Sequence, residues 1–150
     1  MKLPDKEVAS MVAGTTDSVS EMLISTALQI AGDFDCSDTC SAGGVAAALL
    51  TASGSIHTGI CIDTASSLGF CAEHAAIADM LKSRQTRITA IVAVNADGNI
   101  MPPCGRCREL IRQVDPENWH TSVVVAKDTV TTLAALIPYG EPAAPPMGSL

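Results

Sequence analysis

Apolar residues along this chain change period several times, and each change marks a new element. Between Thr16 and about Ile30, the residues Val19, Met22, Leu23, Ala27 and Ile30 share one helical face, with Asp17 and Ser18 available as caps. Val8, Met11 and Val12 also stand at helical spacing, but that run closes on Gly14, so residues 1–14 read as a short N-terminal extension or helix. Asp33 to Gly44 is small, polar and glycine-containing, and reads as a loop. Val45–Leu50 and Ser55–Ile62 are apolar-leaning strands joined around Ala52-Ser53-Gly54, which is a hairpin signal.

After a second loop, Asp63 to Phe70, the helical period returns from Cys71 to about Ser83, with Ala75, Ala76, Ile77, Met80 and Leu81 as the buried stripe. Ile88–Val94 is an almost unbroken apolar run, the mark of a strand covered on both faces. A helix then starts near Cys104, turns Leu110, Ile111 and Val114 inward, and stops before Pro116. Ser122–Ala126 predicts a second buried strand, and Thr131–Ile137 a short last helix ended by Pro138. Residues 142–150 carry prolines and a glycine without periodicity, so they read as a flexible tail behind one domain over residues 15–141. Strand–helix–strand units with buried strands imply a parallel portion beside the antiparallel hairpin, hence a mixed sheet in a layered α/β domain.

Composition narrows the function classes. The 150 residues carry a formal net charge of −7, with nine Lys and Arg against sixteen Asp and Glu. A polynucleotide partner wants a basic face for its phosphates, so no polynucleotide is expected. The apolar fraction of 47% fits a folded core, and no apolar run approaches a membrane span. With no signal-like stretch behind Met1, the expected location is cytoplasmic, and small-molecule chemistry is the class left. Only Phe34, Phe70, Trp119 and Tyr139 are aromatic, so the core must rest on aliphatic side chains.

Six cysteines in such a chain point to metal binding or catalysis before disulfides. The informative stretches are Cys71-Ala72-Glu73 and Pro102-Pro103-Cys104-Gly105-Arg106-Cys107, both at predicted helix starts. A thiolate there gains from unpaired backbone N–H groups and the positive helix end. Three thiolates, Cys71, Cys104 and Cys107, suit one zinc ion with its fourth position open, the pattern of a catalytic rather than a structural site. Zinc lowers the pKa of water in that position toward about 7. Glu73, two residues from the first cysteine, can take the proton without binding the metal. The competing reading is a structural zinc closed by four thiolates, with Cys36 and Cys40 joining Cys104 and Cys107. On their own, Cys36 and Cys40 read as ordinary free thiols. His57 and His120 read as surface residues.

These stretches carry a specific resemblance. A Cys-Ala-Glu followed by Pro-Cys-x-x-Cys resembles the signature of the cytidine-deaminase superfamily. The likeness extends from about Val45 to Tyr139, through Gly-Ile-Cys-Ile-Asp-Thr-Ala-Ser, Cys-Gly-Arg-Cys-Arg and Leu-Ile-Pro-Tyr-Gly, and is greatest to the small tetrameric cytidine deaminases and blasticidin-S deaminases. It implies a single-domain α/β/α layered sandwich around a mixed five-stranded sheet, one Zn2+ per subunit, a small-molecule nucleoside substrate and a homotetramer serving pyrimidine salvage. It also implies hydrolytic deamination, with ammonia released, Glu73 as the catalytic acid/base, and the Ala72 N–H and Pro102 carbonyl on the base edge. Other aminated bases, a nucleoside antibiotic such as blasticidin S, or a non-catalytic zinc protein on the same fold are the alternatives.

The departures fall on the substrate side. Family members carry Phe-Pro-Val-Gly-Ala before the first strand, where this chain has Gly43-Gly44-Val45-Ala46-Ala47. The Asn and Glu that hold the ribose in the family are matched here by Cys61 and Asp63. His74 stands where an Arg often follows the Ala-Glu pair, and could donate to a thiolate as that Arg does. Arg106 and Arg108, flanking Cys107, offer further donors behind the metal.

Overall fold

The structure, a computed structural model, describes residues 18–140. The predicted extension 1–14, the tail 142–150 and the proposed cap Asp17 lie outside the described residues. Among the described residues, six strands form one mixed sheet: β1 (Phe34–Ser37), β2 (Cys40–Thr51), β3 (Ile56–Thr64), β4 (Ile88–Asn95), β5 (Ser122–Ala126) and β6 (Thr129–Thr132). Three α-helices pack on it: α1 over residues 18–28, α2 (Ala72–Lys82) and α3 (Gly105–Val114).

The long strand β2 organises the sheet. One edge pairs antiparallel with β3, from Cys40↔Thr64 to Leu50↔Ile56. The other edge is shared by β1 near its start and by β4 from Val45↔Asn95 to Thr51↔Ile88. β4 then pairs parallel with β5 through Ala90↔Ser122 and Ile91↔Val123, and β5 pairs antiparallel with β6. The parallel contact follows from chain path, because α3 returns the chain from the end of β4 to the start of β5.

Strand alternation separates two cores. On one face, Ala47 and Leu49 of β2 and Ile91 and Ala93 of β4 pack with Ala76, Ile77 and Met80 of α2 and Ile111 of α3. On the other, Ala46 and Ala48 of β2 and Ala90, Val92 and Val94 of β4 pack with Leu23 and Ala27 of α1. This explains the continuous apolar run of β4, which is covered from both sides. The layering is α/β/α, as the resemblance implies.

Small residues bring the helices close. Ala46, Ala47, Ala48, Ala72 and Ala76 are all fully buried. At Gly59 of β3, any Cβ would run into the backbone nitrogen of Ala76 and the side chain of Ala75, so only glycine lets α2 lie this near the strand.

Three expectations change. Residues 33–44 are not a loop: Asp38 and Thr39 form a two-residue turn between β1 and β2, and β1 supplies a sixth strand. All four residues of β1 are exposed, so it leaves no alternating pattern and is held by backbone pairing alone. Thr129–Thr132 is a strand and not part of a helix, in keeping with its run of β-branched residues. Only one 3-10 turn, Ala134–Leu136, remains of the expected last helix. His57 is not a surface residue. It is 7% exposed on β3, with Nδ1 2.8 Å from Oδ2 of Asp79 on α2, and Nε2 has no partner among the described residues.

Candidate active site

Both helices that face the sheet's first core begin with a cysteine. Cys71 caps α2 at φ −68° and ψ 156°, and Cys104 caps α3 at φ −67° and ψ 170°. In each case the cap is extended backbone with no side-chain hydrogen bond to the helix, so the sulfur stands at the open helix end. Cys107 lies in the first turn of α3 and is fully buried. The sulfurs of Cys71 and Cys104 are 3.5 Å apart, as are those of Cys104 and Cys107. All three lie within 4.8 Å of one another.

That spacing fits zinc. Sulfurs placed about 2.3 Å from a tetrahedral zinc stand about 3.8 Å from each other. Among the described residues this trio is the one group of three or more His, Cys, Asp or Glu side chains able to hold a metal. Cys36 and Cys40 sit in the β1–β2 hairpin and add nothing to it, so the four-thiolate arrangement is not formed.

The electrostatics are uneven across the trio. Desolvation opposes it, yet the backbone N–H of Cys107, the neighbouring thiols and the N–H of Arg106 hold the Cys104 thiol below its ordinary pKa. Burial pushes Cys107 well above the ordinary value, and the Glu73 carboxylate adds to that. Burial and the Cys104 thiol likewise raise Cys71. A metal entering here therefore displaces protons from at least the two raised thiols. Glu73 is 5% exposed. Burial raises its carboxyl pKa, while a backbone N–H and the Cys107 thiol hold it back.

In front of the trio lies a cavity of about 510 Å³. Its helix side is made by Cys71, Ala72, Glu73, Cys104 and Arg106, and its strand side by Val45, Cys61 and Asp63. Pro102 lines it too, so the metal-ligand, proton-carrying and substrate candidates from the sequence come together in one place. Cys61 is engaged there: its sulfur accepts the Val45 N–H at 3.2 Å and lies 3.6 Å from Oδ2 of Asp63.

The three basic residues have different surroundings. Nδ1 of His74 is 3.4 Å from the Cys107 sulfur, and burial, then Arg106, lowers the His74 pKa. Arg108 donates from Nε to the Pro103 carbonyl at 2.8 Å and from a terminal nitrogen to the Leu136 carbonyl at 3.0 Å, which ties down the chain entering α3. Arg106 is exposed on the cavity wall.

Sequence reasoning missed Thr64, Ser67 and Met101, which also line the cavity. Thr64 and Ser67 lie in or beside a segment read as loop, where no spacing rule applies. Met101 had one signal, its place directly before Pro102. Gly43 turns out to be conformationally fixed: its φ is +87°, at the register shift between Ala42 and Ala46. A Cβ there would strike the Gly32 carbonyl, so the aromatic residue of the family's motif cannot stand at this position.

Comparison with known proteins agrees with this geometry. Residues 17–123, well over half of the chain, match the family model described as cytidine and deoxycytidylate deaminase zinc-binding region. The chain belongs to that family. Zinc is the metal of these deaminases, and the three-cysteine group is able to bind it. The cytidine deaminase of Mycobacterium tuberculosis (strain H37Rv) is 34% identical over 68 residues, 45% of this chain and 51% of the relative. The match thus spans about half the length of that curated relative. Solved cytidine deaminases cover more. That of M. tuberculosis superposes with a TM-score of 0.66 at 28% identity, over 81% of this chain and 97% of the other. Those of M. leprae and Burkholderia pseudomallei give TM-scores of 0.65 at 27% and 26% identity, over 79% and 81% of this chain and 96% and 98% of theirs. Among the described residues, no helix is long and apolar enough to cross a membrane.

Proposed function

We propose that this deaminase-family chain hydrolyses the exocyclic amine of a cytosine-type nucleoside, with water entering and ammonia leaving. The observation that carries the reading is a buried carboxyl group, Glu73, in contact with Cys107 and opening on the cavity in front of three cysteine sulfurs. Cys71, Cys104 and Cys107 are the zinc ligands of this proposal. Zinc held there supplies a Lewis acid that makes water a usable nucleophile near neutral pH.

The protein groups do the rest. Burial brings the Glu73 pKa up toward the range where a carboxyl group both accepts and returns a proton. Glu73 takes one proton from the attacking water and delivers it to the ring nitrogen beside the aminated carbon. It then takes the second proton from the new hydroxyl group and passes it to the amine, which leaves as ammonia while the carbonyl forms. The Ala72 N–H, at the first residue of α2, and the Pro102 carbonyl fix the base edge. Val45, Phe70 and Met101 supply apolar wall around the ring. His74 and Arg108 act from behind, the first on the Cys107 sulfur and the second on the Pro103 carbonyl. Arg106 contributes positive charge at the same helix start.

At the sugar end, the Asp63 carboxylate is the acceptor for hydroxyl groups. The Cys61 thiol is occupied by the Val45 N–H and by Asp63, so it serves to orient Asp63 rather than to replace an amide. That difference favours, as a second reading, a cytosine nucleoside with a modified sugar, blasticidin S among them. Exposed apolar side chains near the cavity, Met101 at 41% and Leu68 at 80%, support a homotetramer in which neighbours complete the pocket. Light scattering that returns a monomer overturns that assembly. Pyrimidine salvage in the cytoplasm is the setting this reading implies.

The test is ammonia release by zinc-loaded protein from cytidine, deoxycytidine, sugar-modified cytosine nucleosides, adenosine, guanosine and free cytosine. Turnover confined to cytosine nucleosides supports the proposal. Turnover of a purine nucleoside alone, or none with zinc bound, overturns it.

A further inference from the structure

Cys36 and Cys40 take no part in the metal group, yet the hairpin brings them together. The register of β1 against β2 runs Asp35↔Ser41 and then Ser37↔Cys40, so Cys36 is the extra residue of a bulge. In a bulge two residues of one strand oppose a single residue of the other, and here Cys36 and Ser37 share Cys40. The Cys40 thiol is close enough to Cys36 to interact with it. Cys36 is exposed and Cys40 half-buried, whereas Cys61 and Cys107 are buried. Adjacent antiparallel strands hold an opposed pair such as Ser37 and Cys40 at Cα separations of about 4.5–5.5 Å, and the bulge places Cys36 beside that pair, where a disulfide reaches across Cα separations of about 4.4–6.8 Å.

We infer that Cys36 and Cys40 form a dithiol–disulfide couple, a covalent modification site served by low-molecular-weight disulfides as oxidant. The electron balance is that of thiol exchange. One cysteine, as its thiolate, attacks a sulfur of the oxidant, forms a mixed disulfide and expels one reduced thiol. The second thiolate displaces the first adduct, forms the intrachain bond and expels another. Two protein thiols lose two protons and two electrons, and the oxidant's disulfide gains them.

The surroundings set the character of the couple. Desolvation, the Cys40 thiol and the carboxylates of Asp35 and Asp33 push the Cys36 thiol up. A thiol held protonated attacks slowly, and a dithiol with little thiolate stabilisation gives a disulfide that resists reduction. The bond therefore forms slowly and persists. Cys40 faces Thr64 and Ser41 faces Asp63 across β2 and β3, and both Asp63 and Thr64 line the cavity, so the bond would brace the strand next to the pocket wall.

The test uses full-length, zinc-loaded protein and an uncharged probe, dithiodipyridine. The zinc ligands are occupied and Cys61 is buried, which leaves Cys36 and Cys40 to react. The wild-type chain is expected to release two equivalents of thiopyridone, retain no pyridyl adduct, and lose the mass of two hydrogen atoms. Cys36→Ser is expected to release one equivalent and keep a stable adduct on Cys40. Asp35→Asn is expected to speed the first release several-fold. Stable adducts on both cysteines of the wild type, or no reaction at either, overturn the inference, as does a Cys36→Ser chain that still closes an internal disulfide.

Discussion

Nδ1 of His74 lies 3.4 Å from the sulfur of Cys107, the most deeply buried of the three clustered cysteines. The contact joins the third residue of α2 to the first turn of α3, so it also couples the two helix starts that carry the site. A neutral imidazole with its proton on Nδ1 donates to the Cys107 thiolate and spreads some of its charge. Replacing His74 with Ala is therefore expected to weaken zinc binding by about 10–100-fold. Competition against a chelating indicator measures this, with Asn at the position recovering part of the loss. Equal affinity in wild type and His74→Ala would remove the role.

Glu73 is tested by its isostere. Glu73→Gln keeps the shape and leaves the cysteine trio untouched, so zinc content and melting temperature should stay near wild type. Turnover should fall by about 10²–10⁴-fold, the usual worth of a positioned proton carrier. A variant that works within a few-fold of wild type would show that the proton moves by another route.

Gly59 controls how close α2 comes to the sheet. Gly59→Ala drives a methyl group into the Ala75–Ala76 backbone, and overpacking of this kind costs about 1–3 kcal/mol. Denaturant unfolding reads that cost. Because Cys71 and Glu73 ride on the start of α2, zinc affinity measured without denaturant should fall as well. Stability lost with zinc affinity intact would mean that α2 yields locally instead of shifting.

Asp79 holds the buried His57. Lys82, and then His57, keep the Asp79 carboxyl pKa below its ordinary value. The sign follows: a depressed carboxyl contributes stability above its unfolded pKa of 3.8, and that contribution fades as pH falls through the folded value. Asp79→Asn keeps an acceptor for the His57 ring but removes the charge of a half-exposed carboxylate, and should cost about 0.5–1 kcal/mol near neutrality. Unfolding curves at neutral pH and below pH 3.8 check it, and the two proteins should converge in acid. A gap that stays constant across that range would assign the cost to shape alone.

Much of the site could be read from the chain because its spacings are local. Cys71, Ala72 and Glu73 are neighbours, and Cys104 and Cys107 are one helical turn apart, so helix geometry alone puts each set at one end of a helix. The helices and the buried strands β4 and β5 were equally legible, since burial on one or both faces imposes a period on the residue types. β1 was not, because an exposed strand needs only backbone partners and leaves the side chains free.

The substrate side shows the limit most clearly. The sequence set Gly43 and Cys61 apart from the family pattern, but only the folded chain gives the reasons. Gly43 sits at a positive φ against the Gly32 carbonyl, and Cys61 is held by a Val45 N–H sixteen residues away. The meeting of Cys71 with Cys104 across 33 residues is likewise a product of the sheet, which sets the starts of α2 and α3 side by side. The sequence by itself determined the chemistry of each segment, through residue type and helical or strand spacing. Tertiary structure decided which segments meet, which histidine is buried and which thiols are free to react, because contacts between distant residues depend on strand register and helix packing that no local spacing encodes.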